Sequence, residues 1–347
     1  MLTALVCTRD GGALTVSIKD IARVAQVSHS TVSRALQNPG AVNRDTAERI
    51  RHIARSMGYR PNVIGRSLAT QHTQTIGIVV TTVADPFVSE VVAGVEDVAQ
   101  AEGYAVFLAN SNANSDREIS VVRSFGERRV DGVLVMASRV GALYLPLLNE
   151  LDVPLVLIDN QHPDDFGYSI SIDDRGGARL AVRHLIELGH RRIAYIGDQY
   201  GLQSDEDRLL GYKDEFAVAG VQLRSEFIIR GDGKAEGGLV AMQTLLAFRE
   251  PPTAVFCYND MTAMGALRCL HARKIRVPED VSIVGFDDLP ISPFLEPPLT
   301  TVRQPKADMG RRAATMLLQL LKGSQGESKV RVPGTLVIRE STSRCDP

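Results

Sequence analysis

The sequence predicts a small all-α head followed by an α/β body of two similar lobes. Three observations carry that prediction. In the amino-terminal segment apolar residues recur at helical spacing. From Thr75 onward, short apolar runs of strand length alternate with amphipathic stretches, and this alternation runs twice through the body. Charge divides at the same place: residues 1–72 hold ten Lys/Arg against four acids, a net of +6, while the other 275 residues hold 29 against 37, a net of -8. The whole-chain balance of -2 over 347 residues hides this asymmetry, and taken alone it argues against a nucleic-acid partner. Split in two, it points to a polyanion-binding head on an acidic body.

In the head, SIKDIARVAQVSHSTVSRAL (17–36) reads as two short helices joined by a tight turn. Ser17 caps the first with Asp20 at the capping-box position, and Ile18, Ile21, Ala22, Val24 and Ala25 give it an apolar face. Ser28 caps the second, whose Val32 and Leu36 form the buried side. Its other side carries His29, Ser30, Ser33 and Arg34, polar groups near the amino end of a helix, as reaching base edges and phosphates in a major groove requires. Ser28, His29, Ser30, Thr31, Ser33 and Arg34 are therefore the candidate DNA contacts on this helix. A third helix, capped by Asn43, runs through RDTAERIRHIARSMG with Ala47, Ile50, Ile53, Ala54 and Met57 on one stripe, and Gly58 ends it. A basic three-helix bundle without a partner has the same periodicity; the polar amino end of the second helix favours DNA.

The body begins with TIGIVV (75–80), a helix over 87–101, AVFLAN (105–110), a helix over 116–129, GVLVMA (132–137), a helix near 143–151 and LVLID (155–159). The rhythm restarts with a helix over 174–188, IAYIG (193–197), helices over 206–219 and 235–247, AVFCYN (254–259), a helix over 260–271 and VSIVGFDD (281–288). Alternation of this kind specifies doubly wound parallel sheets, whose ligands sit beyond the carboxyl ends of the strands. Asp85, Asp159, Asn259 and Asp287 stand at those ends, with Phe87 and Phe286 for apolar or stacking contact. Helix capping alone accounts for any one of the four. As a set spread over two lobes they point to a cleft, and carboxylates with an amide suit paired hydrogen bonds to sugar hydroxyls.

Other classes find little support. Cys7, Cys257, Cys269 and Cys345 lie far apart without metal-ligand spacing and read as free or buried thiols. No apolar run is long enough for a membrane span, and the amino terminus has Arg9 and Asp10 where the apolar core of an export signal would continue. There is no P-loop, HExxH or GxSxG, and GDGKAEGG (231–238) fails the dinucleotide spacing, follows no clear strand and reads as a turn. The acid pairs Asp173/Asp174 and Asp287/Asp288 could mimic a metal or acid–base site, but adjacent residues point apart on a strand, which favours a structural role. An enzyme or a sugar-binding transport protein on the same α/β body is the alternative, disfavoured by the basic head and the missing signal peptide and catalytic motif. No cofactor is implied.

The run IKDIARVAQVSHSTVSRALQNPGAVNRDTAERIRHIARSMGYRPNVIGRSLAT resembles the DNA-binding head of the lactose-repressor (LacI/GalR) family of transcriptional regulators, and GFDD, TTVRQP and LVIREST extend the resemblance to the end of the chain. It implies an N-terminal all-α helix-turn-helix head plus a two-lobed α/β body like a type-I periplasmic binding protein. The implied organisation is a head over 16–62, a hinge helix and linker over 63–73, and an effector-binding and dimerisation body over 74–347. The first lobe takes about 74–172 and 304–330, the second about 173–303 and 331–343. The resemblance places His29, Ser30 and Arg34 on operator bases. It also implies that YRPN, ending at Asn62, a further DNA contact, introduces a hinge helix from Val63 to Ala69 in which Leu68 wedges into the minor groove. Arg208 in DRLLGY, Asn259 in CYND and Asp287 in GFDD match effector-contacting positions, and Pro86 and Phe87 in ADPF match the loop lining the pocket, beside Asp85 and Asp159.

The implied protein is a cytoplasmic homodimeric repressor of a pseudo-palindromic double-stranded DNA operator, with no membrane association, switched by a small-molecule effector. A sugar leads, and a nucleobase stays open. Five departures from the family pattern stand out. Gln26 replaces the usual glycine between the first two helices, and Gly65 replaces the hinge alanine at about 1 kcal/mol of helix propensity. DQYGLQSDED follows IAYIG in place of a common G-P segment, with Tyr200 as an aromatic platform. Residues 1–15 have no counterpart and are either a mis-assigned start, Val16 being the usual one, or an arm for phosphate contact. The end at STSRCDP lacks the leucine-heptad tail of the family's tetramers, which sets a dimer as the expected limit.

Overall fold

Ser17 begins the first helix as the spacing predicts. Its hydroxyl accepts from the Asp20 amide at 3.3 Å, while its own amide and hydroxyl donate to the Asp20 carboxylate at 3.1 and 2.6 Å, closing a capping box. This and all that follows comes from a computed structural model that describes residues 16–37, 39–59, 72–138, 140, 147, 153–161, 167–324 and 326–345. The 1–15 extension, Asn62, the hinge helix over 63–69 with Gly65 and Leu68, and most of the helix expected near 143–151 lie outside the described residues. The chain divides into two units, 1–71 and 72–347.

In the first unit, α1 (Ile18–Ala25), α2 (His29–Gln37) and α3 (Arg44–Ser56) pack around Ile21, Ala25, Val32, Ala35, Ala47 and Ile50. Leu36, expected on the buried face of α2, is only half-buried, and Ala35 shares the core with Val32 instead. Gln26 adopts the left-handed conformation that the turn demands, φ 54° and ψ 42°, and its amide donates to the Ala22 carbonyl. Asn43 caps α3 by accepting from the Asp45 amide at 3.0 Å.

The second unit holds two six-stranded sheets. The first has the order β11-β5-β4-β3-β1-β2, from β1 (Thr75–Val80), β2 (Ala105–Asn110), β3 (Gly132–Met136), β4 (Leu155–Ile158), β5 (Ser169–Ile172) and β11 (Lys329–Val332), paired in parallel throughout. The second has the order β12-β10-β9-β8-β6-β7, from β6 (Ile193–Asp198), β7 (Ile228–Gly231), β8 (Ala254–Cys257), β9 (Ser282–Asp287), β10 (Thr300–Arg303) and β12 (Thr335–Val337), and only β12 runs antiparallel.

Helices cover both faces of each sheet. On β1, Ile76, Ile78 and Val80 pack toward Val91 and Val95 of α4 (Pro86–Ala101) and Met309, Ala313 and Leu317 of α10 (Lys306–Leu321). Val79, Val133 and Leu157 meet Val122 and Phe125 of α5 (Ser115–Glu127) on the other face. This alternation is the period-two signature of a strand buried on both sides. Gly94 and Gly310 let α4 and α10 touch backbone to backbone, since a Cβ on either would collide with the Ala307 or Val91 carbonyl. In the second lobe, α6 (Asp174–Glu187) and α7 (Gln203–Ala219) pack around Tyr195, Tyr212, Phe256 and Phe286. On the opposite face lie α8 (Ala235–Leu245) and α9 (Asp260–Ala272).

The chain passes between the lobes at three places, around residues 173, 304 and 333. The last crossing corrects the expected boundary. Arg331 and Val332 pair with Ser171 and Ile172 and so complete the first sheet, placing the return after Val332 rather than after residue 330. The glycine run 231–238 also has a strand before it, β7, contrary to expectation. Its Ile228 and Ile229 are half-buried at the sheet edge and are followed at once by Arg230 and Gly231, so its apolar run is short.

Candidate functional site

On α2 the Ser28 hydroxyl accepts from the Thr31 amide at 3.1 Å and lies 2.8 Å from the hydroxyls of both Ser30 and Thr31. Ser28 is thus the helix cap first. His29, Ser30 and Arg34 are exposed and Thr31 and Ser33 half-buried, while Val32 and Ala35 turn into the core. The six candidate DNA contacts therefore stand on or beside the outward side of one helix.

In the body, the carboxyl ends of the strands of both lobes open on a cavity of about 470 Å3. Asp85, Phe87 and Asp159 reach it from the first lobe and Arg208, Asn259 and Asp287 from the second. Pro86 is not in the wall; it occupies the first turn of α4.

Each of these side chains is held in place by its local fold. Asp85 caps α4, accepting from the Phe87 amide at 2.9 Å, and burial pushes its carboxyl above the usual carboxylate range. Asp159 follows β4 at φ 53°, where Nε2 of Gln161 donates to its carboxylate at 2.9 Å; burial raises its pKa, with Arg208 opposing. Asn259 caps α9 by accepting from the Thr262 amide at 2.8 Å, and its NH2 donates to the Gly233 carbonyl at 2.9 Å. Asp287 ends β9 at φ 118°, accepts from Gln304 Nε2 at 2.7 Å, and is pushed well up by burial. Capping and cleft lining are therefore the same property for Asp85 and Asn259: the helix starts where the strand ends, and the cap residue faces the opening.

Arg208 is the centre of the wall. Its Nε donates to the buried Asp174 at 2.8 Å, one terminal nitrogen donates to the Tyr258 carbonyl at 2.5 Å, and the guanidinium lies 3.8 Å from the centre of the Phe286 ring. Burial opposes its charge and the Asp174 carboxylate supports it, leaving a cation rigidly positioned at the cavity edge. Asp173, the other acid of its pair, caps α6 by accepting from the Gly176 amide at 3.0 Å, and Asp288 binds Arg303 and Arg339, both at 2.6 Å. Among the described residues no group of three or more metal-ligating side chains gathers.

Sequence reasoning missed Gln161, Asp198, Asp232, Tyr258 and Gln304, which also line the cavity. For Asp198 a signal was present, an acid at the end of a strand, the kind of rule that found Asp159; Asp232 had none, because the strand before it was not recognised. Gln161, Tyr258 and Gln304 carried none, because their exposure to the cavity arises from the facing of two lobes distant in sequence. Tyr200 does reach the cavity rim, at 52 % exposure, and the unusual segment after β6 contains the first turn of α7 from Gln203.

Comparison with known proteins agrees with this geometry. Residues 17–62 match the family of bacterial regulatory proteins, lacI family, and residues 182–342 match the periplasmic binding protein-like domain. The transcriptional repressor PurR of Photobacterium profundum is 34% identical over 327 residues, covering 94% of this chain and 98% of the relative. The repressor CytR of Escherichia coli is 35% identical over 328 residues, with 94% and 96% covered. Among solved structures, the lac repressor dimer bound to operator and the anti-inducer ONPF superimposes with a TM-score of 0.86 at 28% identity, over 95% of this chain and 99% of the other. The regulator CelR in complex with cellobiose gives 0.71 at 32% identity, over 94% and 99%.

A helix-turn-helix unit on the same chain as a two-lobed cleft defines a DNA-binding transcriptional regulator with a small-molecule effector, and not an enzyme. The chain belongs to the lacI family of bacterial regulatory proteins. Among the described residues, no helix is long and apolar enough to cross a membrane.

Proposed function

We propose that the chain is a homodimeric repressor whose grip on a pseudo-palindromic operator is set by a sugar held in the cleft between its lobes. Residues 16–62 are the reading head in this scheme, 63–73 the hinge and 74–347 the sensor, acting in the cytoplasm. The observation that carries the proposal is the cavity itself, with Arg208, Asn259 and Asp287 on one side and Asp85, Phe87 and Asp159 on the other. Forked donor, amide and carboxylates together match the donor–acceptor pattern of vicinal hydroxyls, and Phe87 supplies an apolar face. Sugars occupy related proteins, cellobiose in CelR and ribose in a regulator from Enterococcus faecium. The operator-bound lac repressor dimer is the model for DNA engagement: two heads read two half-sites, with His29, Ser30 and Arg34 on base edges, Ser28, Thr31, Ser33 and Asn62 as supporting contacts, and Leu68 in the minor groove.

A ligand bridging the two walls favours one separation of the lobes over the other. Because the lobes are joined by three crossings, that preference passes to the first lobe, which follows the hinge in sequence. A coupling of about 1 to 3 kcal/mol changes operator affinity roughly 5- to 150-fold. The test is a thermal-shift screen of sugars and nucleobases, followed by anisotropy titration of an operator selected from a randomised duplex pool. A hit should move operator affinity by that factor in the wild type, and Asp287→Ala should abolish the response while still binding DNA. A ligand that binds without any change in operator affinity counts against the switch.

A further inference from the structure

Lys306 opens α10 just past the second lobe crossing, and only 3% of it is exposed. Its ammonium is divided between the lobes. Nζ donates to the carbonyls of Asp287 and Asp288, in the second lobe, at 2.6 and 2.8 Å. It also lies 3.2 Å from Oε1 of Glu90, on α4 of the first lobe. A buried ammonium is costly unless acceptors and a counter-charge surround it, and here neither lobe supplies the whole set.

The two ends of this contact differ in kind. Asp287 and Asp288 are consecutive non-glycine residues at positive φ, 118° and 52°, a backbone state that persists only where the surroundings hold it. Lys306 holds it by drawing both carbonyls to one cation, while Arg303 and Arg339 fix the Asp288 carboxylate. The backbone beside Lys306 is locked to the first lobe, because Gly94 of α4 packs directly on the Ala307 carbonyl. One side chain therefore reaches from a fixed helix start in one lobe to the strained turn that presents Asp287 to the cavity from the other. The contact with Glu90 is the loose one. Oε1 of Glu90 is buried and accepts no hydrogen bond, so its charge rests on an ion pair that a small movement of the ammonium makes or breaks.

We propose that Lys306 is a positioning residue of the switch, a tether through which the conformation of the Asp287–Asp288 turn is passed to Glu90 and α4. The proposal rests on the cleft being the effector site and deepens that reading by naming the residue that carries the signal out of it. A ligand engaging Asp287 shifts the turn, the two carbonyls take the ammonium with them, and the ion pair with Glu90 tightens or opens.

A double-mutant cycle on the ligand-free full chain tests it, read as anisotropy on an operator selected from a randomised duplex pool. Lys306→Met keeps the length of the side chain and loses its charge; Glu90→Gln keeps the shape and loses the charge. The DNA complex needs one arrangement of the lobes and an untethered body samples others, so each variant should weaken operator binding at least about 5-fold. Because each breaks the same tether, the double variant should match the weaker single within about 2-fold. Additive losses overturn the proposal, and so does an operator affinity unchanged or raised in either single variant. A lysine that only filled the core would lower the melting temperature without coupling to Glu90 in operator binding. If Lys306→Met does not fold, Glu90→Gln, a change at a half-buried side chain, decides by itself: unchanged operator affinity overturns the tether. Failure of the cleft reading looks different: ribose or cellobiose bound with undiminished affinity by Asn259→Ala is held elsewhere, whatever the cycle gives.

Discussion

Oε1 of Gln161, in the first lobe, accepts hydrogen bonds from both the amide and the hydroxyl of Ser204, in the second, at 3.1 and 2.8 Å. With its hydrogen committed to Gln161, the Ser204 hydroxyl takes the hydrogen of Tyr258, 2.8 Å away. Ser204 belongs to the first turn of α7, whose N-cap residue, Leu202, has no side chain able to cap. The amino end of the helix that carries Arg208 is thus capped from across the cleft.

Gln161→Ala should therefore loosen closure as well as stability. We expect a loss of about 1 kcal/mol, in the range of a deleted helix cap. Small-angle X-ray scattering of the free protein should show a larger radius of gyration than the wild type, and an unchanged profile would mean that the bridge does not hold the lobes together.

Asp260 predicts a pH dependence. Its carboxylate is buried beneath β9 and β10 and accepts from the Leu289 amide and the hydroxyls of Ser292 and Thr301. Burial nevertheless pushes its pKa from 3.8 up to about 6. The folded state then binds the proton more tightly than the unfolded chain between these values, so the contribution of this group is greatest below the unfolded pKa and falls as pH rises through the window. Asp260→Asn should flatten the melting temperature between about pH 4 and 6, removing a slope on the order of 2 kcal/mol. A wild-type slope surviving in the variant assigns it to other groups.

Arg34 stands exposed on α2. Arg34→Ala should cost about 1 to 3 kcal/mol on a selected operator, with a smaller loss on random duplex, measured by anisotropy at one fixed salt concentration. Equal losses on both would make Arg34 a phosphate contact.

Gln26 pays for a left-handed turn that glycine adopts freely. Gln26→Gly should stabilise the head by about 1 kcal/mol, read as a rise in the melting transition of the head by calorimetry; no rise would mean that the side chain compensates for the strain.

Much of this architecture was legible in the sequence because burial on both faces leaves unbroken apolar runs, as in TIGIVV or SIVGFD. Ser169–Ile172 and Lys329–Val332 escaped notice for the opposite reason: toward one edge of the first sheet, alternating serines or charges dilute the apolar signal, and pairing to β4 and to each other defines them. The site divides in the same way. Asp85, Asp159, Asn259 and Asp287 could be read because strand ends and helix starts are local events. Gln161 and Gln304 could not, since what gives each its role is a partner 43 or 17 positions away and, for Gln161, on the other lobe.

The three crossings also dictate an order of assembly during synthesis. The first sheet lacks an edge strand until Val332 has left the ribosome, by which time nearly all of the second lobe has emerged. Neither lobe is a continuous stretch of chain, so a nascent chain cannot finish one before beginning the other. Any product of premature termination before residue 332 leaves both unfinished, with β5 presenting an open edge to its neighbours.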